Sequence, residues 1–72
     1  MNTPKYPEIT VTIDPFGPSG NAFEIISNVI GYMKLFGVSK KEQDIYLDQA
    51  TMLDYAHLLE VTKSTVHVVF VN

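Results

Sequence analysis

Seventy-two residues with no cysteine, a formal net charge of -3 and 46% hydrophobic side chains describe one small domain with room for a single core. A chain this short buries only about 60% of the surface its unfolded form exposes. With no disulfide and no sulfur ligands for a structural zinc, self-association or very good packing must make up the difference. All 5 cations are lysine, so the bidentate arginine fork that reads phosphate and guanine is missing and direct nucleic-acid binding is not expected.

Residues 1–7 read as a flexible tail, because Pro4 and Pro7 remove donors and bias their neighbours toward extended backbone. This stretch has no apolar run like a signal-peptide core. A single domain is expected over residues 8–72. Ile9, Val11 and Ile13 alternate with Glu8, Thr10, Thr12 and Asp14, the period-two pattern of a strand with one buried face. Residues 14–20, DPFGPSG, end it in a structured turn,.

Asn21 opens the first helix, with Glu24 placed to complete a capping box. At about 100° per residue, Ala22, Phe23, Ile25, Ile26, Val29, Ile30, Tyr32, Met33 and Phe36 share one half of it, and Leu35 intrudes on the polar half. Glu24, Ser27, Gly31 and Lys34 interrupt the apolar run, so it is not read as a membrane span. Gly37 suits a left-handed terminator. Ser39-Lys40-Lys41-Glu42 is a second capping box, opening a helix to about Ala50 with Tyr46, Leu47, Ala50 and Leu53 on its apolar side. A phase break near Thr51 and Met52 implies a third helix over residues 53–61, carrying Tyr55, Leu58 and Leu59 inward. Residues 65–71, TVHVVFV, are dense in β-branched side chains and predict a strand,.

The expected fold is therefore α+β: strand, three helices, strand, with a two-stranded sheet covered by helices on one face. Both strands would be edges, and such a sheet is marginal alone. Val66, Val68 and Phe70 form one face of the last strand, yet Val69 and Val71 place apolar groups beside His67 on the other. One-sided burial does not require them, so the sheet is expected to be extended by dimerisation or covered by a partner.

Little in the chain suggests catalysis. His57 and His67 have no metal partners at ligand spacing, and there is no cysteine nucleophile. Asp44 and Asp48, at i and i+4 beside Lys40 and Lys41, read as a solvated helix face. No cofactor and no metal are expected. The strand-to-helix loop offers one alternative, an anionic metabolite or nucleotide held by Gly17, Ser19, Gly20 and Asn21, although this is neither a P-loop nor a dinucleotide fingerprint. The favoured surfaces are protein-binding ones: Phe16 in its proline-flanked loop, Tyr32 and Tyr55 at helix borders, and His67, Val69 and Val71 on the last strand.

Taken together, ITVTIDPFGPSGNAFEII with the later Asp54-Tyr55 and Leu58-Leu59 resembles small uncharacterised proteins encoded by tailed phages and prophages. Members of that group often carry glycine where this chain has Leu53. The resemblance implies an accessory protein of an infected bacterial cytoplasm. The residue readings above add the expectation of a non-enzymatic homodimer or other small oligomer that binds or modulates a host or phage protein, with no membrane association.

Overall fold

The alternating segment and the β-branched C-terminal segment pair with each other, and everything between them is helical. The computed structural model describes residues 3–71. Strand β1 (Tyr6–Ile13) leads through a single 3-10 turn (Pro18–Gly20) into α1 (Ala22–Leu35), α2 (Lys40–Ala50) and α3 (Tyr55–Thr65), and the chain returns as β2 (Val66–Phe70). The two strands run parallel, which requires a crossover of a dozen residues or more; here all three helices form it. The fold is α+β, with the helices on one face of a two-stranded sheet.

Register places Val11 beside Val68 and Ile13 beside Phe70 on the helix-covered face, with Thr10 beside His67 and Thr12 beside Val69 on the other. Ile9, Val11 and Ile13 from β1 meet Ile25, Val29 and Met33 from α1, and Tyr46, Leu58, Val61 and Val66 complete the core. Within it, the Tyr46 hydroxyl and Thr62 Oγ1 share a hydrogen bond of 2.9 Å. Burial pushes the Tyr46 phenol above its ordinary value of 10.0, and that bond partly offsets the rise.

The N-caps form where the spacing predicts them, but the reciprocal half of each box does not: the Asn21 N–H donates to Pro18 O at 3.2 Å and Glu42 pairs with Lys5. Asn21 Oδ1 accepts from the backbone N–H of Phe23 at 2.8 Å and of Glu24 at 3.3 Å, and Ser39 Oγ accepts from Glu42 at 3.3 Å. A third cap, Asp54 accepting from the His57 N–H at 2.9 Å, starts α3. Gly37 adopts φ +78 after α1, a conformation that costs a side chain with a Cβ about 1–2 kcal/mol.

Several expectations need correction. The tail is shorter than residues 1–7: Tyr6 and Pro7 belong to β1, and the Lys5 N–H donates to Ser64 O at 3.0 Å. Proline is tolerated there because the ladder is interrupted, Tyr6 pairing with Val66 while Thr10 pairs with His67,. Met1, Asn2 and Asn72 lie outside the described residues. Helix α3 starts at Tyr55 and runs to Thr65 instead of Val61. Ser64 and Thr65 both turn their hydroxyls back to Val61 O, at 2.8 and 2.7 Å, so these poor helix formers stay in the helix and the strand begins only at Val66.

The apolar faces are also narrower than their hydropathy suggests. Phe23 on α1, Phe36 after it, Leu47 on α2 and Leu53 after that are all exposed, while the polar Gln43 is buried with its Nε2 donating to Val38 O at 3.0 Å. Leu35, on the polar half, is exposed as its phase predicts. Tyr55 is exposed instead of turned inward, although Leu58 is buried and Leu59 half-buried. Two strands offer a helix only a narrow strip to pack on, so each helix buries one line of side chains and leaves its flanks in water.

Candidate interaction surface

The open side of the sheet is built by alternation alone. Because Ile9, Val11 and Ile13 point toward the helices, Glu8, Thr10 and Thr12 must point away, and all three are exposed. His67, Val69 and Val71 are exposed beside them, so the surface is polar along β1 and apolar along β2. Among the described residues each strand also keeps one unpaired edge, because the sheet has the order β1-β2. Val71 remains tied in by its N–H, which donates to Ile13 O at 2.9 Å. On the inner face Phe70 is only partly covered, and the Lys63 ammonium lies 5.8 Å from its ring centroid.

Phe16 stands on a loop that is held from several sides. Its own N–H donates to Asp14 Oδ1 at 3.0 Å, the Gly17 N–H donates to Asp14 O at 3.1 Å, and Ser19 Oγ accepts from the Asp14 N–H at 2.9 Å. Gly20 is required where the loop doubles back, since a Cβ there would meet Asp14 O at 2.2 Å. The ring itself is 87% exposed, so Phe16 presents an aromatic side chain on a fixed support and takes no part in the core.

The same bonds leave little for an anion. The N–H groups of Phe16, Gly17, Gly20, Asn21, Phe23 and Glu24 all have acceptors within the loop or helix start, and the Asp14 carboxylate sits among them. Gly17, Ser19, Gly20 and Asn21 thus form a turn and cap that use most of their own donors.

The tyrosines divide. The Tyr55 hydroxyl donates to Gly20 O, strapping the start of α3 to the loop after β1, so its polar end is occupied. Tyr32 is exposed on the border of α1. His57 Nε2 lies 3.0 Å from Gln49 O, a contact that joins α3 to the end of α2, whereas His67 stands on the open sheet face. Lys40 pairs with Asp44 at 2.7 Å on the surface of α2. Among the described residues, no group of three or more His, Asp or Glu side chains gathers as a metal site would require, and no helix is long and apolar enough to cross a membrane.

Sequence reasoning missed one tie outright. Lys5 forms an ion pair with Glu42, joining the start of β1 to the start of α2 across 37 positions of sequence. It also missed the exposure of Phe23, Leu47 and Leu53, for which the available signal was the small width of a two-stranded sheet. Comparisons with protein families, with curated proteins and with solved structures find no match to this chain.

Proposed function

We propose that this chain is a non-enzymatic interaction protein of a bacterial cytoplasm, of the kind tailed phages encode, which self-associates and docks a host or phage protein on the open face of its sheet. The observation that carries the reading is the distribution of apolar surface. Among the described residues eleven hydrophobic side chains are buried in the core while thirteen large ones are exposed, and His67, Val69 and Val71 stand together on the open sheet face,. Val69 and Val71 lie on an open strand edge, where main-chain groups and side chains can both engage a partner. The absence of cysteine suits a reducing compartment.

Light scattering tests the self-association: the mass should rise with concentration toward twice the chain's 8.1 kDa. Capture from a bacterial lysate tests the sheet face, and a retained protein should be lost on Val69→Lys with no change in melting temperature. A chain that stays monomeric at high micromolar concentration and retains nothing that depends on Val69 rejects the proposal.

A further inference from the structure

Helix α1 has two faces, and the fold uses only one of them. Ile25, Val29 and Met33 are buried against the sheet. At about 100° per residue, Ser27 and Gly31 fall on the opposite side of the helix, flanked by Phe23, Glu24, Lys34 and Leu35. All six are exposed, Phe23 at 75% and Leu35 at 76%. Beside Leu35 lies a shallow groove of about 280 Å³ lined by Ser27, Asn28, Gly31, Tyr32 and Leu35, with Phe23 on the opposite flank of this face.

Glycine in an exposed helix interior is less stable than alanine, and the fold gives no reason for it here: a Cβ on Gly31 would meet nothing within 4 Å. Nor do Glu24 and Lys34 have ion-pair partners among the described residues.

The arrangement of these residues explains both facts. Phe23 and Leu35, Glu24 and Lys34, and Ser27 and Gly31 are three pairs, each placed symmetrically about residue 29. An isologous contact requires this, since residue i of one copy meets j of the other and j meets i. We propose that α1 is the self-association surface, with the outer faces of two copies pairing antiparallel about a two-fold axis at residue 29. Phe23 of one copy packs on Leu35 of the second, Glu24 lies beside Lys34, and the small Ser27 and Gly31 let the backbones approach at the centre.

The occupant is a second copy because every group then faces its complement. A parallel pairing would set Glu24 on Glu24 and Lys34 on Lys34, and like charges in contact are disfavoured. The inference rests on the self-association proposed above and names its surface. One 14-residue helix offers only about 21 Å of contact, so the dimer is of the weak, small-interface kind.

Sedimentation equilibrium over a wide concentration range tests it. The wild-type chain should dimerise with a micromolar Kd. Gly31→Gln, which fills the groove with a better helix former and so keeps the fold by circular dichroism, should weaken the dimer by more than about ten-fold.

Glu24→Lys and Lys34→Glu should each weaken it by roughly ten-fold at low salt, because each change breaks two symmetry-related pairs. The double swap should recover affinity to within about three-fold, while Val69→Lys leaves it unchanged. A dimer indifferent to Gly31→Gln, or a double swap that fails to recover, overturns the α1 contact while self-association stands. A wild-type chain that is monomeric throughout overturns both.

Discussion

Three residues carry demands that no neighbour could meet. Gly37 supplies the positive φ that ends α1, Gly20 lets the loop after β1 pass against Asp14, and Tyr46 brings a hydroxyl into the core that must find a partner. That partner is Thr62, which is 0% exposed, so its hydroxyl has no recourse to water when the bond is lost. Tyr46→Phe should therefore destabilise the fold by about 1–3 kcal/mol, the cost of leaving a buried donor or acceptor unpaired. Adding Thr62→Val should recover most of that loss. Denaturant unfolding of both single variants and the double variant measures the coupling, and additive losses would show that the two hydroxyls do not depend on each other. Gly37 and the role of Tyr46 as a core side chain were legible in the sequence. The Thr62 partnership was not, because it links two helices through a contact that periodicity does not encode.

At the scale of elements, local signals worked best where the chain itself supplies the partner. Asn21, Ser39 and Asp54 each cap a helix by bonding to backbone two or three residues ahead, and the first two were readable from residue type and spacing. Asn21→Ala should cost about 1 kcal/mol in chemical denaturation, with self-association intact because Asn21 lies outside the proposed contact. A loss of dimer larger than the loss of stability would mean that the cap also shapes that surface. Element ends read less well. The run of Ser64 and Thr65 looks like the start of a strand, yet both hydroxyls bond back to Val61 and extend α3, and a propensity scale does not contain that choice. The candidate surfaces follow the same division: alternation alone placed Val69 and Val71 on the open face and helix periodicity placed Leu35 on the polar half, whereas the exposure of Phe23 depended on how much sheet was available to cover it.

Across the whole molecule the lysines lie at the ends of elements. Lys5 precedes β1, Lys34 and Lys63 occupy the last turns of α1 and α3, and Lys40 and Lys41 open α2. At the amino-terminal end of the sheet the start of β1 lies beside the start of α2. There Lys5 meets Glu42. The hydrogen bond from Lys5 holds the Glu42 carboxyl below its ordinary 4.5, and the same bond raises Lys5 above 10.5. A depressed carboxyl stabilises the fold above its unfolded value and loses that contribution as pH falls through its folded value. The raised amine contributes below its unfolded value and loses the effect as pH climbs through its folded one. Glu42→Gln should thus lower the melting temperature slightly at neutral pH, with the difference from wild type closing as pH drops below 4.5 and shrinking in high salt. Thermal melts across the acid range check this, and a gap that persists in acid would mean that Glu42 acts through packing instead of charge.

The sequence by itself determined the strand-helix-helix-helix-strand order, the first two caps, the terminator at Gly37 and the apolar second face of β2. Each depends on neighbours within a few residues or on the period-two geometry of a strand. Tertiary structure alone decided that the strands run parallel, that Lys5 reaches Glu42, that Phe16 stands in solvent, and that α1 keeps an outer face unoccupied. The physical reason is the width of the sheet. Hydropathy reports which side chains avoid water, but two strands provide only a narrow strip of surface to bury them on. The chain's small size, which first pointed to self-association, also leaves on α1 the exposed face where a second copy fits.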